Sequence, residues 1–132
     1  CPVIDGCTSA PFGTHVYYFC PGGKSFNGSR DRCTDHQAHL VTISSAEENA
    51  FLAAFEQGGT SWIGYYQEWY TWEWRWVTGE SKSFEQWAKD QPDDGGFWPP
   101  DEDCTELRPD GFWNDQECDK DRSYICEYEP PQ

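Results

Sequence analysis

Gln91-Pro92-Asp93 lies in a stretch, residues 79–103, with little periodicity and much proline, glycine and acid. Eleven positions after Gln91 comes Glu102, directly before Asp103-Cys104, and Asn114-Asp115 follows further along the chain. Gln91, Asp93, Glu102, Asn114 and Asp115 together offer three carboxylates and two amides, all of them hard oxygen donors. A calcium ion takes about six to eight oxygens, and irregular loops can supply them. A lone Gln-Pro-Asp is ordinary turn chemistry. An irregular segment of this length inside a compact domain is usually functional or disordered. No nucleophile–base pair stands out, because Ser44 and Ser45 are explained by capping and no His sits in a recognisable Cys signature.

The elements that must position these donors are short. His15-Val16-Tyr17-Tyr18-Phe19 has strand composition, and Pro21-Gly22-Gly23 reads as a turn. A helix is expected from Ser29 to about Ala38, carrying Cys33, and Leu40-Val41-Thr42-Ile43 is a short apolar run. Ser45-Ala46-Glu47-Glu48 carries a capping-box signature, in which the hydroxyl accepts from an orphan amide and the Glu reaches back. That helix continues through Phe51, Leu52 and Phe55, spaced for one buried face, and Gly58-Gly59 ends it. Ser61-Trp62-Ile63-Gly64-Tyr65 reads as a strand. Trp72, Trp74 and Trp76 alternate with Glu73 and Arg75, which predicts a strand with one aromatic and one charged face; core packing is the better reading of the Trp stripe than sugar binding. Thr105–Leu107, Phe112–Asn114 and Ser123–Glu127 supply closing strands.

With 132 residues the chain is the size of one domain, divided here into an N-terminal cysteine-containing extension, 1–13, and a main domain, 14–132. No run approaches the ~18 apolar residues of a membrane span, so no direct membrane insertion is expected. The net charge of −15, from 24 acids against 9 bases, disfavours nucleic acid and anionic membrane as partners and favours cations. The chain begins at Cys1 and has no Met, which reads as a processed product, and secretion to the extracellular space is expected. Asn27-Gly28-Ser29 is an N-glycosylation sequon, consistent with that compartment.

The seven cysteines are Cys1, Cys7, Cys20, Cys33, Cys104, Cys118 and Cys126, with no CxxC pair, so disulfides fit better than a zinc or redox centre. An odd count leaves one thiol free or paired with another chain. A Cys33–Cys126 bridge would close a loop of about 100 residues, worth about 4–5 kcal/mol in the chain-entropy model. Cys104 and Cys118 flank a hairpin-like stretch. This frame, with Trp62-Ile63-Gly64, Trp113-Asn114-Asp115 and Tyr124-Ile125-Cys126 in order, resembles the C-type lectin-like family over about residues 14–128. The resemblance implies an α+β double-loop fold with two helices, small antiparallel sheets and a long calcium-binding loop. It implies the nested pairs Cys33–Cys126 and Cys104–Cys118. At the N-terminus Cys7–Cys20 is the first choice, leaving Cys1 for a partner chain in a disulfide-linked homodimer, with Cys1–Cys20 as the alternative.

The resemblance also places Gln91, Asp93, Glu102, Asn114 and Asp115 around one calcium ion, with a cis bond before Pro92 and two vicinal sugar hydroxyls completing the shell. A carboxylate only accepts hydrogen bonds, whereas an amide nitrogen donates. Amide at Gln91 and acid at Asp93 is the order of galactose-type members. Gln91, Asp93, Glu102 and Asn114 would then meet the sugar hydroxyls. Trp98, with Phe97 in reserve, would stack on the apolar face of the ring. An auxiliary calcium site is expected to be absent or weak: Asp94 and Asp103 match two of its ligands, Gln67 and Thr71 fall at the others, and Glu68 or Glu73 are substitutes. The reading is a calcium-dependent lectin for galactose or N-acetylgalactosamine glycans, serving agglutination or innate immune recognition, and not an enzyme. The alternative is a non-sugar acidic member of the family that binds mineral surfaces or a protein partner. His36 and His39, near Asp31 and Asp35, are read as an exposed polar helix face in preference to a metal pair, and Asp119, Asp121 and Glu127 as a solvated acidic face.

Overall fold

A computed structural model describes residues 1–56, 59–68, 71–92 and 104–131. Strand β1 (Thr8–Phe12) and strand β2 (His15–Lys24) form a hairpin, and helix α1 (Phe26–Asp35) follows. Strand β3 (His39–Leu40), helix α2 (Ala46–Phe55), β4 (Ser61–Gln67) and β5 (Trp74–Trp76) come next. Strands β6 (Cys104–Leu107), β7 (Trp113–Gln116) and β8 (Arg122–Tyr128) close the chain. The architecture is α+β. The short strands join into one sheet in the order β1-β2-β8-β4-β6-β7, with β3 added on β8 and β5 on β4. All pairings are antiparallel except β4 with β8.

Several boundaries differ from expectation for local reasons. Helix α1 starts at Phe26 and not at Ser29, because Ser25 caps it: its hydroxyl accepts from the Gly28 amide at 3.1 Å. Strand β2 runs through the expected Pro21-Gly22-Gly23 turn, absorbing it as an irregularity between Cys20 and Lys24. Helix α2 starts as its capping signature predicts, with the Ser45 hydroxyl accepting from the Glu48 amide at 3.1 Å. The Glu48 carboxylate reaches back one residue further than the motif requires, accepting from the Ser44 amide at 2.8 Å. Gly58, expected to end the helix, lies outside the described residues; Glu56 is the C-cap. Trp74 and Trp76 form β5 with Arg75 on the exposed side, but Trp72 stands outside the strand, with φ at 63° and its ring exposed.

The core is ring-rich. Tyr17, Tyr65, Trp76 and Trp113 are buried with Ile63, Leu107 and Ile125 in one cluster, and Trp62 and Tyr124 pack around Cys33–Cys126 in another. Gly64 shows why its place in the strand takes no side chain: a Cβ there would sit 2.8 Å from the Leu40 carbonyl oxygen and 2.9 Å from that of Val41. That close approach lets the Gly64 amide donate to Val41 O at 2.8 Å, tying β4 to the segment after β3. Disulfides join Cys7–Cys20, Cys33–Cys126 and Cys104–Cys118, and Cys1 carries an exposed free thiol. No helix among the described residues is long and apolar enough to cross a membrane.

Candidate functional site

The site begins with a buried indole. Trp113 opens β7 and is fully buried, and its ring Nε1 donates to Asn49 Oδ1 of α2 at 2.8 Å. Its backbone reaches sideways: the Trp113 amide donates to Gln86 O, and its carbonyl accepts from the Ala88 amide, both at 2.8 Å. These bonds make a parallel bridge of Trp87 with Trp113 and fix the loop beside β7. The loop then turns. The Gln91 amide donates to Ala88 O at 3.0 Å, and Asp90 takes a left-handed φ of 65°. Asp is among the few residues besides glycine that tolerate that region. Gln91 follows directly, half-buried, and the Gln91–Pro92 peptide bond is cis, as the resemblance implies.

The next two residues of β7 are Asn114 and Asp115, which pair with Glu106 and Thr105 of β6. Asn114 Nδ2 donates to Glu106 Oε2 at 3.0 Å, and Arg122 Nε donates to Glu106 Oε1 at 3.0 Å. Glu106 is buried to 6 % exposure, so it is a carboxylate held by an amide on one oxygen and a guanidinium on the other. With its nitrogen committed there, Asn114 turns its amide oxygen the other way, and the second N–H of the same nitrogen is a further donor. Asp115 is fully buried. A carboxylate in that position must be matched by a cation or by hydrogen-bond donors. Cys104–Cys118 ties the start of β6 to the turn after β7.

Of the expected donors, the structure thus describes Gln91, Asn114 and Asp115, carried by a pinned loop and by the strand that pins it. Asp93, Glu102 and Trp98 lie outside the described residues, as do Asp94, Phe97 and Asp103. The described donors fit a hard dication: all three present oxygen, and none brings sulfur or imidazole. At the auxiliary positions, Gln67 Nε2 donates to Trp72 O at 3.0 Å, and Thr71 Oγ1 accepts from the Glu73 amide at 3.3 Å. Glu68 and Glu73, the substitutes, both face Arg75, each at 2.5 Å. A guanidinium therefore already supplies the positive charge between them.

Glu106, Asn49 and Gln86 escaped the sequence reading. Glu106 carried a faint signal, an acid inside a short closing strand two residues after a cysteine. Asn49 and Gln86 act through a side-chain amide and a backbone carbonyl that only the fold brings to Trp113.

Two readings of charged residues are corrected. Glu127 is 2 % exposed and is no part of a solvated acidic face. It sits on the face of β8 flanked by β2 and β3, and His15 Nδ1 lies 2.5 Å from its Oε2. His39 belongs to β3 and not to an exposed helix face; its Nε2 faces Glu127 and Glu129, while His36 stays at the end of α1 with Nδ1 2.9 Å from Arg32 O.

Comparison with known proteins bears on the fold and the family. The family profile described as "Lectin C-type domain" matches residues 22–128. Asialoglycoprotein receptor 2 of Homo sapiens is 34% identical over 113 residues, which are 84% of this chain and 36% of the receptor. Hepatic lectin of Gallus gallus is 31% identical over 123 residues, 92% of this chain and 58% of that protein. The chain therefore spans between a third and three fifths of these two relatives. The mouse scavenger receptor C-type lectin carbohydrate-recognition domain superposes with a TM-score of 0.86 at 33% identity, covering 93% of this chain and 96% of that one. Fold, disulfide frame and sequence agree, and the chain belongs to the C-type lectin domain family.

Proposed function

We propose that this chain is a calcium-dependent lectin for galactose-type glycans, galactose or N-acetylgalactosamine, using Gln91, Asp93, Glu102, Asn114 and Asp115 as ion ligands. The observation that carries the reading is the amide-then-acid order of Gln91 and Asp93 beside a cis proline. Gln91 is held on the flank of the strand that bears Asn114 and Asp115. When bound, calcium supplies coordination positions for two vicinal hydroxyls. The chain's own groups set the hydrogen-bond sense: carboxylates at Asp93 and Glu102 accept, and the amides of Gln91 and Asn114 donate. Trp98 is the platform for the apolar face of the sugar ring. The likeness to relatives named as an asialoglycoprotein receptor and a hepatic lectin supports a glycan as ligand.

The same reading makes the protein secreted and joins two copies through Cys1, whose thiol is exposed and outside the three disulfides. Single sugar sites bind weakly, and a dimer gains by avidity on surfaces that repeat the sugar, which suits agglutination or recognition of microbial glycans. The test is retention on immobilised galactose. Calcium-dependent retention, released by free galactose or chelator but not by mannose, is the expected result, with loss of at least a hundredfold in affinity for Asp93→Ala. Retention that survives chelator, or that Asp93→Ala leaves intact, overturns the site.

A further inference from the structure

Three adjacent strands bring imidazole and carboxylate groups together on one face, away from the oxygen ligands described above. Glu127 of β8 pairs with Tyr17 of β2 on one side and with His39 of β3 on the other. His15 lies two residues before Tyr17, and Glu129 two residues after Glu127, so the alternation of strand side chains puts both beside it. His15 Nδ1 is 2.5 Å from Glu127 Oε2, and His39 Nε2 is 3.2 Å from Glu129 Oε1 and 3.8 Å from Glu127 Oε1. One donor atom each from His15, Glu127 and Glu129 lies within 4.8 Å of the others. Around a tetrahedral ion with bonds of ~2.0–2.1 Å, ligand atoms are ~3.4 Å apart, a spacing that lies within the range of the 2.5, 3.2 and 3.8 Å separations here.

The groups behind the ligands also fit. A backbone carbonyl can only accept, so His39 Nδ1, 2.7 Å from Leu40 O, carries the ring hydrogen there. In the neutral ring the lone pair is then on Nε2, aimed at two carboxylates. Two carboxylates and a ring nitrogen converge there, and either a proton on Nε2 or a metal cation would join them. Glu127 is held in place by the Thr42 amide, which donates to its Oε1 at 3.1 Å. Such partners fix a ligand's orientation in metal sites. Glu48 nearby is committed to the Tyr17 hydroxyl at 2.5 Å and the Ser44 amide. The cluster opens to solvent through a cavity of about 220 Å³ that His15, Glu127 and Glu129 help line, so an ion has an entry path.

We propose that His15, His39, Glu127 and Glu129 form a binding site for a borderline transition-metal dication of the zinc class. Two imidazoles distinguish it from a calcium site, because calcium takes oxygen and imidazole suits zinc, copper and nickel. The site rests on none of the residues assigned to the sugar.

Calcium-saturated protein titrated calorimetrically with zinc chloride tests this. Saturable binding of one zinc per chain is expected, and cobalt(II) in place of zinc should give the intense visible bands of a tetrahedral site. His15→Gln, His39→Gln and Glu129→Gln should each weaken zinc at least tenfold, and His36→Gln should leave it unchanged. Glu129 is half exposed, so its variant keeps the test valid if a histidine variant misfolds by near-UV circular dichroism. Absence of saturable zinc binding, or a His15→Gln/His39→Gln double variant that titrates like the parent, would overturn the proposal and leave a protonated histidine–carboxylate ion-pair cluster.

Discussion

The two candidate ion sites are built in opposite ways. The proposed oxygen ligands Gln91, Asn114 and Asp115 come from a turn and from the strand beside it, and backbone bonds to Trp113 hold that turn in place. The imidazole–carboxylate cluster has no loop of its own; three strands of the sheet meet at Glu127, and their register alone assembles it. An irregular segment can wrap a cation with many oxygens at variable distance, which calcium requires. A rigid sheet face offers a few donors at fixed spacing, which suits an ion of low coordination number. If both proposed sites hold, hardness of ligand and stiffness of support go together in this molecule. The contrast also implies that the two sites can be damaged separately.

The strongest way to break that separation is Trp113→Ala. The indole is fully buried against Tyr65, Trp76 and Phe84, and it holds Asn49. Its loss should cost about 3–5 kcal/mol, read as a fall in the denaturant midpoint. In the fraction that remains folded, calcium affinity should drop while zinc affinity holds. A parallel loss of both would show that the sites share one support. Glu106→Gln is milder. It removes the charge between Asn114 and Arg122 and should cost roughly 1–3 kcal/mol. Calcium affinity should weaken by about three- to tenfold as Asn114 reorients, again with zinc binding unmoved.

How much of this was legible in the sequence depended on range. Helix α2 announced its start, because Ser45 and Glu48 are three residues apart and cap each other's neighbourhood. The strands around Trp62 and Tyr124 were legible from composition, and the cysteine frame with its tryptophan motifs gave the family. The beginning of α1 was not, since Gly28 inside a helix looks like a breaker until Ser25 is seen accepting its amide. The proposed oxygen ligands were chosen from motifs with fixed neighbours, and the fold brings Gln91, on its pinned turn, beside the strand of Asn114 and Asp115. The histidine cluster could not. His15 and Glu127 are separated by 112 residues, and nothing near either one marks the other. Glu127, an acid two residues before the acidic Glu129 near the end of the chain, looks solvated by every local measure, and only the pairing of β8 with both β2 and β3 buries it.

Another buried carboxylate, Glu56, has no cation beside it among the described residues. Glu56, the C-cap of α2, is fully buried, and neither of its oxygens has a hydrogen-bond partner among the described residues. Burial, foremost, and the charges of Asp110 and Glu106 push its carboxyl up to about 9, the neighbouring Ser61 offsetting part of the rise. Between pH 4.5, where the same group ordinarily titrates, and about 9, the folded protein holds a proton that the unfolded chain has released. The unfolded state binds fewer protons in that window, so Glu56 makes stability fall as pH rises through it and adds no further slope above it. Glu56→Gln keeps the shape and the neutral charge of the protonated acid. It should therefore leave stability near pH 4.5 unchanged and raise it by at least about 1 kcal/mol at pH 8. Chemical denaturation of both proteins at the two pH values gives the difference directly, and the slope contributed by the other titrating groups cancels in it. A variant no more stable than the parent at pH 8 would mean that Glu56 is ionised in the fold, and that a cation or a set of donors reaches it as well.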